Sequence, residues 1–277
     1  MKKILSLLFG LIFCCLSSTA ASAATEAIKF IQVADAHLSV DSEYSQKVLR
    51  SAVEDINKQQ NISFVVFTGD NIGNPTPENL RAFVKIVSKL KVPYYVALGN
   101  HDVYKSKELS KVRYYEILRE RNLLYPQRSS NYEFKKRNFV FLIVDGAKEV
   151  IPGSVGYYRQ DTLDWVDKVL AQNEKKSVII FQHFPIVYPD GSESSVRSHK
   201  TYRVDEYEDV LNEHNNVLAV VSGHFHLNGE TMKNGVYHIA SPSLIGLPQA
   251  YKIIDIITTK DFSPIIYTQL REFEVKD

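Results

Sequence analysis

Cysteine is almost missing from this chain of 277 residues, which holds two, Cys14 and Cys15, both near its start. Neither lies in a region that reads as folded protein, so no disulfide is expected and no thiolate is offered to a metal. Any metal site must therefore use imidazole, carboxylate and amide donors. Charge of one sign is lacking too: 33 basic residues face 32 acidic ones. That balance gives no electrostatic argument for a nucleic-acid partner or an anionic membrane. Internal repeats, low-complexity tracts and Gly/Ser linkers do not occur after Ala24. Long apolar runs are absent apart from Ile4–Leu16, which is too short to span a bilayer.

That one run has a context. Lys2 and Lys3 precede it, small residues follow, and Ala21-Ser22-Ala23 fits the cleavage rule of a secretory signal peptide. Phe13 is bulky where a lipoprotein would place a small residue before Cys14, which argues against a lipid anchor. The expectation is a signal peptide over residues 1–23 and a single domain over 24–277, periplasmic or extracellular after cleavage. Loss of Lys2 and Lys3 moves the balance to 31 basic against 32 acidic residues.

Strand-length apolar runs alternate with helix-period segments, which predicts an α/β fold. Strands are expected at Ile28–Ala34, Phe64–Thr68, Tyr94–Leu98, Phe139–Asp145, Val178–Gln182 and Val217–Ser222. Helices are expected at Tyr44–Gln60, Pro77–Leu90, Glu108–Arg121, Gln160–Gln172 and Val204–Glu213, the second with Thr76 as N-cap and Pro77 in its first turn. Four further strands follow without helices: Glu230–Met232, Val236–Ile239, Tyr251–Thr258 and Ile265–Leu270. Lys233-Asn234-Gly235 reads as a hairpin turn. The simplest assembly puts these last strands in a second, mostly antiparallel sheet packed on the first.

Five strands run directly into polar residues of a restricted kind. They are Asp35-Ala36-His37, Gly69-Asp70-Asn71, Gly99-Asn100-His101-Asp102, His183, and Gly223-His224-Phe225-His226. Ligands collect at the carboxyl ends of strands in α/β sheets, so parallel neighbours would bring all five blocks to one crevice. The glycines before Asp70, Asn100 and His224 would allow sharp turns and close approach. Of 8 histidines, five lie in these blocks. With Asp35, Asp70 and Asn100 they make eight donor groups, of a chemistry that suits Zn, Mn or Fe. Eight exceed the needs of one tetrahedral ion and suffice for two, with one His left over.

Taken in order, the five blocks resemble the calcineurin-like metallophosphoesterase superfamily and span most of the chain. The resemblance implies a two-sheet α/β sandwich flanked by helices, in four layers α/β/β/α. It implies two divalent ions, Mn, Fe or Zn. Asp35, His37 and His226 would hold one; Asn100, His183 and His224 the other; Asp70 would bridge them. His101 would stay off the metals as the catalytic group, and Asn100 and His101 would contact the phosphate. Two cations about 3.5–4 Å apart clamp a phosphate and activate water. The implied function is hydrolysis of phosphate esters of small molecules or macromolecules. Diesters are favoured, because the His183 to His224 spacing with its helix is similar to the cyclic-nucleotide phosphodiesterase branch. The alternatives are a phosphomonoesterase acting on proteins or nucleotides, and a silent metal-binding protein on the same scaffold.

This chain also departs from the family pattern. Gly73 stands where many members carry an Asp that orients the free His, so either Asp102 or a group elsewhere takes that role for His101, or His101 is less tightly held. Gln182 and Phe184 flank His183 where His and Pro are common. The polar stretch Tyr188–Arg203, with Arg197 and His199, reads equally as a surface loop or as a substrate loop. His199, His214 and His238 fall outside the blocks, and the last two read as structural. Tyr157, Tyr158 and Trp165 are expected to pack between helix and sheet, and Lys135-Lys136-Arg137 to form a solvated hairpin turn.

Overall fold

The computed structural model describes residues 26–120, 129–189, 201–259 and 264–276. The leader segment 1–23, Arg197 and His199 lie outside the described residues. Two mixed sheets form a sandwich. The first contains β1 (Glu26–Val33), β2 (Val65–Thr68), β3 (Tyr94–Ala97), β10 (Ala250–Thr258) and β11 (Ile265–Glu272), in the order β11-β10-β1-β2-β3. The second contains β4 (Tyr132–Lys136), β5 (Phe139–Ile143), β6 (Ser177–Phe181), β7 (Val217–Ser222), β8 (Gly229–Lys233) and β9 (Val236–Ala240), in the order β4-β5-β6-β7-β9-β8.

The expected partition of the strands is corrected here. The last four strands do not form a sheet of their own. β8 and β9 extend the second sheet, with β9 parallel to β7, while β10 and β11 extend the first, with β10 antiparallel to β1. The block-bearing strands likewise divide: β1, β2 and β3 are parallel neighbours in one sheet, β6 and β7 in the other. All five still run in parallel within their own sheets, and their carboxyl ends meet at one end of the sandwich.

Aromatic residues fill the space between the sheets. Phe30 on β1 meets Phe181 on β6 edge-on at 5.4 Å, and stacks on Phe64 at 5.0 Å. Tyr95 on β3 stacks on Phe134 of β4 at 3.5 Å. Burial of rings this large dominates the core energetics. Nearer the site the filling turns polar: the Gln32 Nε2 group donates to Ser222 O at 2.8 Å, from one sheet to the other.

Helices α1 (Glu43–Ile56), α2 (Pro77–Val87) and α3 (Lys111–Glu120) cover the first sheet; α4 (Gln160–Gln172) and α5 (Val204–Asn212) cover the second. Thr76 caps α2 by accepting from Asn79 N, and Pro77 opens the helix. Phe83 of α2 packs on Phe67 of β2 at 5.1 Å. The α4 periodicity places Leu163, Val166 and Leu170 in the core. Tyr158 is buried as expected and donates to Phe184 O at 2.6 Å. Tyr157, by contrast, is 40% exposed, so it does not pack between layers. Lys135 and Lys136 lie in β4, and the turn follows at Arg137, whose φ is 54°. Among the described residues no helix is long and apolar enough to cross a membrane.

Candidate metal centre

The strand ends that reach the site share a backbone habit. Asp35, His37, Asp70, His224 and His226 all have positive φ, between 40° and 73°. Left-handed backbone is costly for non-glycine residues and persists where the surroundings over-determine it, as at functional sites. Here the loops after β1 and β2 hold each other: Asp35 N donates to Gly69 O at 3.1 Å and His37 N to Asp70 O at 2.9 Å. The loops after β6 and β7 do likewise through Gly223 N and His183 O, at 3.1 Å. Glycines let the blocks interlock. A Cβ at Gly223 would stand 2.6 Å from Asp35 Oδ2, and one at Gly99 would collide with the Asp70 carboxylate.

The side chains converge in two clusters. In the first, His226 Nε2 lies 3.3 Å from Asp35 Oδ1 and 3.3 Å from His37 Nε2. In the second, His183 Nε2 lies 3.4 Å from Asp70 Oδ2, 3.2 Å from His224 Nδ1 and 3.3 Å from Asn100 Oδ1. Asp70 Oδ2 also stands 4.0 Å from His37 Nε2, which puts this carboxylate between the clusters. Two donors each ~2.1 Å from one ion lie about 3.0–3.4 Å apart at right-angled to tetrahedral geometry. The separations of 3.2–3.4 Å match that spacing, and His37 Nε2, wider at 4.0 Å from Asp35 Oδ1, is still within reach of a shared ion, so the residues fit two divalent ions. His37, Asp70 and His101 make a third, overlapping group of donors within 4.8 Å of one another.

The surroundings prepare these donors. Fully buried His183 gives its Nδ1–H to Thr68 O at 2.9 Å, since a carbonyl can only accept, and Nε2 is left for a ligand role. Burial would lower His183, yet the Asp70 carboxylate, together with Asp35 and the Thr68 carbonyl, outweighs it and raises this imidazole to about 9. Burial would raise Asp70, but His183 holds it well below the usual carboxylate range. His226 is raised by its hydrogen bond to Asp35 against the effect of burial. His37 is lowered, chiefly by burial. Carboxylates that draw protons onto buried imidazoles draw divalent cations by the same field.

His101 takes a different position. Its backbone N donates to Asp70 Oδ1 at 2.8 Å, and its ring Nδ1 donates to Gly73 O at 2.9 Å. Its side chain remains 45% exposed, with Nε2 at 4.0 Å from Asp70 Oδ2. Asp102 does not orient it. That buried carboxylate is taken up by Gly99 N (2.8 Å), Asn71 N (2.9 Å), Asn71 Nδ2 (2.9 Å) and Ile72 N (3.2 Å), tying the β2 and β3 loops together. The orienting group is the Gly73 carbonyl, at the position where the side chain is missing.

The flanking departures are structural. Gln182 Nε2 donates to Phe184 O at 2.7 Å, and the Phe184 ring lies 4.8 Å from both His183 and His224. His214 pairs with Asp167 at 2.7 Å, away from the site. His238 is buried in β9, where burial lowers it to about 4. The sequence reading missed the two backbone carbonyls, Thr68 O and Gly73 O, which carry no side-chain signature. It also missed Asn71, whose place beside Asp70 was a usable signal.

Comparison with known proteins places the chain in a family. Residues 28–228 match the family described as calcineurin-like phosphoesterase. A probable glycerophosphodiester phosphodiesterase, GpdQ, of Arcobacter nitrofigilis is 28% identical over 222 residues, 77% of this chain and 78% of that protein. A 3',5'-cyclic adenosine monophosphate phosphodiesterase, CpdA, of Haemophilus influenzae is 22% identical over 223 residues, 78% of this chain and 76% of that protein. In fold the chain is similar to a dimetal phosphatase from Danio rerio, at a TM-score of 0.65 and 19% identity, covering 87% of this chain and 98% of the other.

Proposed function

The chain belongs to the calcineurin-like phosphoesterases, metal-dependent hydrolases of phosphate esters, and on that premise we propose that it cleaves phosphodiesters with two bound divalent ions. The observation that carries the two-ion reading is the pair of donor clusters meeting at Asp70. Asp35, His37 and His226 would hold one ion and Asn100, His183 and His224 the other, with Asp70 between them. When bound, such ions supply Lewis acidity toward the phosphate oxygens and toward water. The donor set suits Mn, Fe or Zn. The diester preference is supported by the relatives from Arcobacter nitrofigilis and Haemophilus influenzae, both named as phosphodiesterases.

The chain's own residues supply the rest. Gly73 O holds His101 by Nδ1, which leaves Nε2 to face the phosphate. In its imidazolium form His101 donates from Nε2 to the departing ester oxygen while Nδ1–H stays anchored. Asn100 beside it orients the phosphate. The leader pattern of Lys2-Lys3, an apolar run and Ala21-Ser22-Ala23 supports export. N-terminal sequencing of protein from an expressing bacterium should then begin near Ala24, and an intact start in the soluble fraction would contradict export.

The activity test is a direct comparison. After reconstitution with Mn, Fe or Zn, bis(p-nitrophenyl) phosphate should be hydrolysed with higher kcat/KM than p-nitrophenyl phosphate. A higher value for the monoester would replace the diesterase reading with a phosphomonoesterase. Elemental analysis of active protein should give two ions per chain, and a single tightly bound ion would refute the dinuclear reading.

A further inference from the structure

Beside the first donor cluster the β9–β10 connection builds a cleft of about 420 Å³. His226 forms one wall, so a single imidazole belongs both to the cluster and to the cleft. The remaining wall includes Ser243, Ile245, Leu247, Pro248 and, from β11, Leu270. Among the described lining residues there is no Lys, Arg, Asp or Glu. Leu247 is 83% exposed, a large aliphatic side chain held in water.

The loop that presents Leu247 is fastened at several points. Leu244 N donates to Ala34 O at 2.9 Å, and Ser243 Oγ donates to Asp35 O at 2.8 Å. One end of the loop is therefore bonded to the backbone of a donor residue. From α1, Tyr44 OH donates to Ile245 O at 3.3 Å, and Gln249 Nε2 donates to Tyr44 OH at 2.8 Å. A ligand covering a loop already fixed this way gains apolar burial with little ordering cost.

We propose that this cleft is the subsite for a neutral, apolar or aromatic substituent of the phosphodiester, with Leu247 as its specificity-determining residue. The proposal rests on the phosphodiesterase reading for the identity of its ligand. A diester carries two organic groups, and one seated on the donor clusters can project a group past His226 into the adjoining wall. Past His226, a charged substituent would meet no Lys, Arg, Asp or Glu among the described lining residues and would lose hydration there. A ring or alkyl group would cover Leu247 and Ile245 instead.

The test uses methylphosphinates, whose two carbon–phosphorus bonds leave no ester to hydrolyse. Dimethylphosphinate and methyl(phenyl)phosphinate are titrated calorimetrically into the Mn-reconstituted protein. The phenyl compound should bind at least about tenfold more tightly, the scale on which apolar pockets discriminate. Leu247→Asp should reduce that ratio to about threefold or less, and Leu247→Met should preserve it. Leu247 lies outside the core, and unchanged circular dichroism of each variant checks that it folds. An affinity ratio near one in the parent protein, or a ratio unaltered by Leu247→Asp, overturns the subsite. Hydrolysis of bis(p-nitrophenyl) phosphate is measured separately. Diester cleavage with no phosphinate discrimination would sink the subsite alone. Discrimination without diester cleavage would sink the diesterase reading and leave an apolar subsite beside the donor clusters whose ligand is not a diester.

Discussion

His101 is held by a carbonyl rather than a carboxylate, and a carbonyl fixes direction without adding charge. The Nδ1–Gly73 O bond at 2.9 Å therefore aims the His101 ring by a neutral group, while Asp70 Oδ1 holds only its backbone N. His101→Asn should retain both ions while lowering turnover by about 10²–10⁴ with poor leaving groups, the range for loss of a general acid. The loss should shrink for nitrophenolate esters, which leave without a proton. Kinetics across leaving groups, with metal content measured on the same samples, decides; metal lost in step with activity would make His101 a ligand. A second residue-scale expectation concerns Gly223, where a methyl group would meet Asp35 Oδ2 at 2.6 Å. Gly223→Ala should displace Asp35 or the His224–His226 turn and lower metal occupancy, read by elemental analysis. Full occupancy would show that the loop yields freely. The donor residues were legible in the sequence because each carries a side chain of distinctive chemistry next to a strand end. Gly73 O and Thr68 O were not, because a carbonyl is common to every residue and only the fold selects which one matters.

At the level of elements, periodicity revealed what most segments are but not what they pair with. The run at 250–258 alternates as a strand should, yet nothing local says that it lies antiparallel to β1 instead of beside β9. β4 escaped notice although Tyr132 and Phe134 alternate with Glu133 and Lys135; its partner β5 gives that short pattern its meaning. The contact of α1 with β10 and β11 supplies a test of how these late strands are fixed. Asp55 accepts from Arg271 Nη2 at 2.9 Å and from Tyr251 OH at 2.7 Å. Its carboxyl is lowered from 3.8, chiefly by the Arg271 hydrogen bond, with burial opposing. A lowered carboxylate contributes stability that is present above its unfolded value and is lost as pH falls through its folded one. Asp55→Asn should therefore cost about 1–2 kcal/mol at pH 7, kept modest because Arg271 is partly exposed. The parent and the variant should begin to converge below about pH 4 and meet only once pH has fallen through the lowered value of the folded carboxyl. Urea unfolding with chelator present, at pH 7 and in acid, measures this. A difference that persists undiminished in acid would mean that the interaction is packing and not charge.

The molecule as a whole is divided between its two sheets by the same residues that form its site. Asp35, His37, Asp70 and Asn100 follow strands of the first sheet, while His183, His224 and His226 follow strands of the second. Each donor cluster draws on both sheets: His226 meets Asp35 and His37 in one, and His183 meets Asp70 and Asn100 in the other. Ions bound there would join the layers at one end of the sandwich, while the Phe30, Phe64, Phe141 and Phe181 rings hold them together beneath. Because the unfolded chain scatters these donors from residue 35 to residue 226, it cannot bind as the folded protein does, and binding is linked to stability. At a metal concentration about 100 times the dissociation constant, one site adds roughly 2.7 kcal/mol. For a chain of this size that is a rise in Tm of about 5–10 °C. Calorimetric melting of protein stripped by chelator and then reloaded with Mn should show the rise, and renewed chelation should reverse it. Asp70→Ala removes the group shared by both clusters and should abolish most of the shift. A parent protein whose Tm stays within about 1 °C on loading would mean that the ions do not bind the folded chain in preference to the unfolded one, and would refute the metal-centre reading.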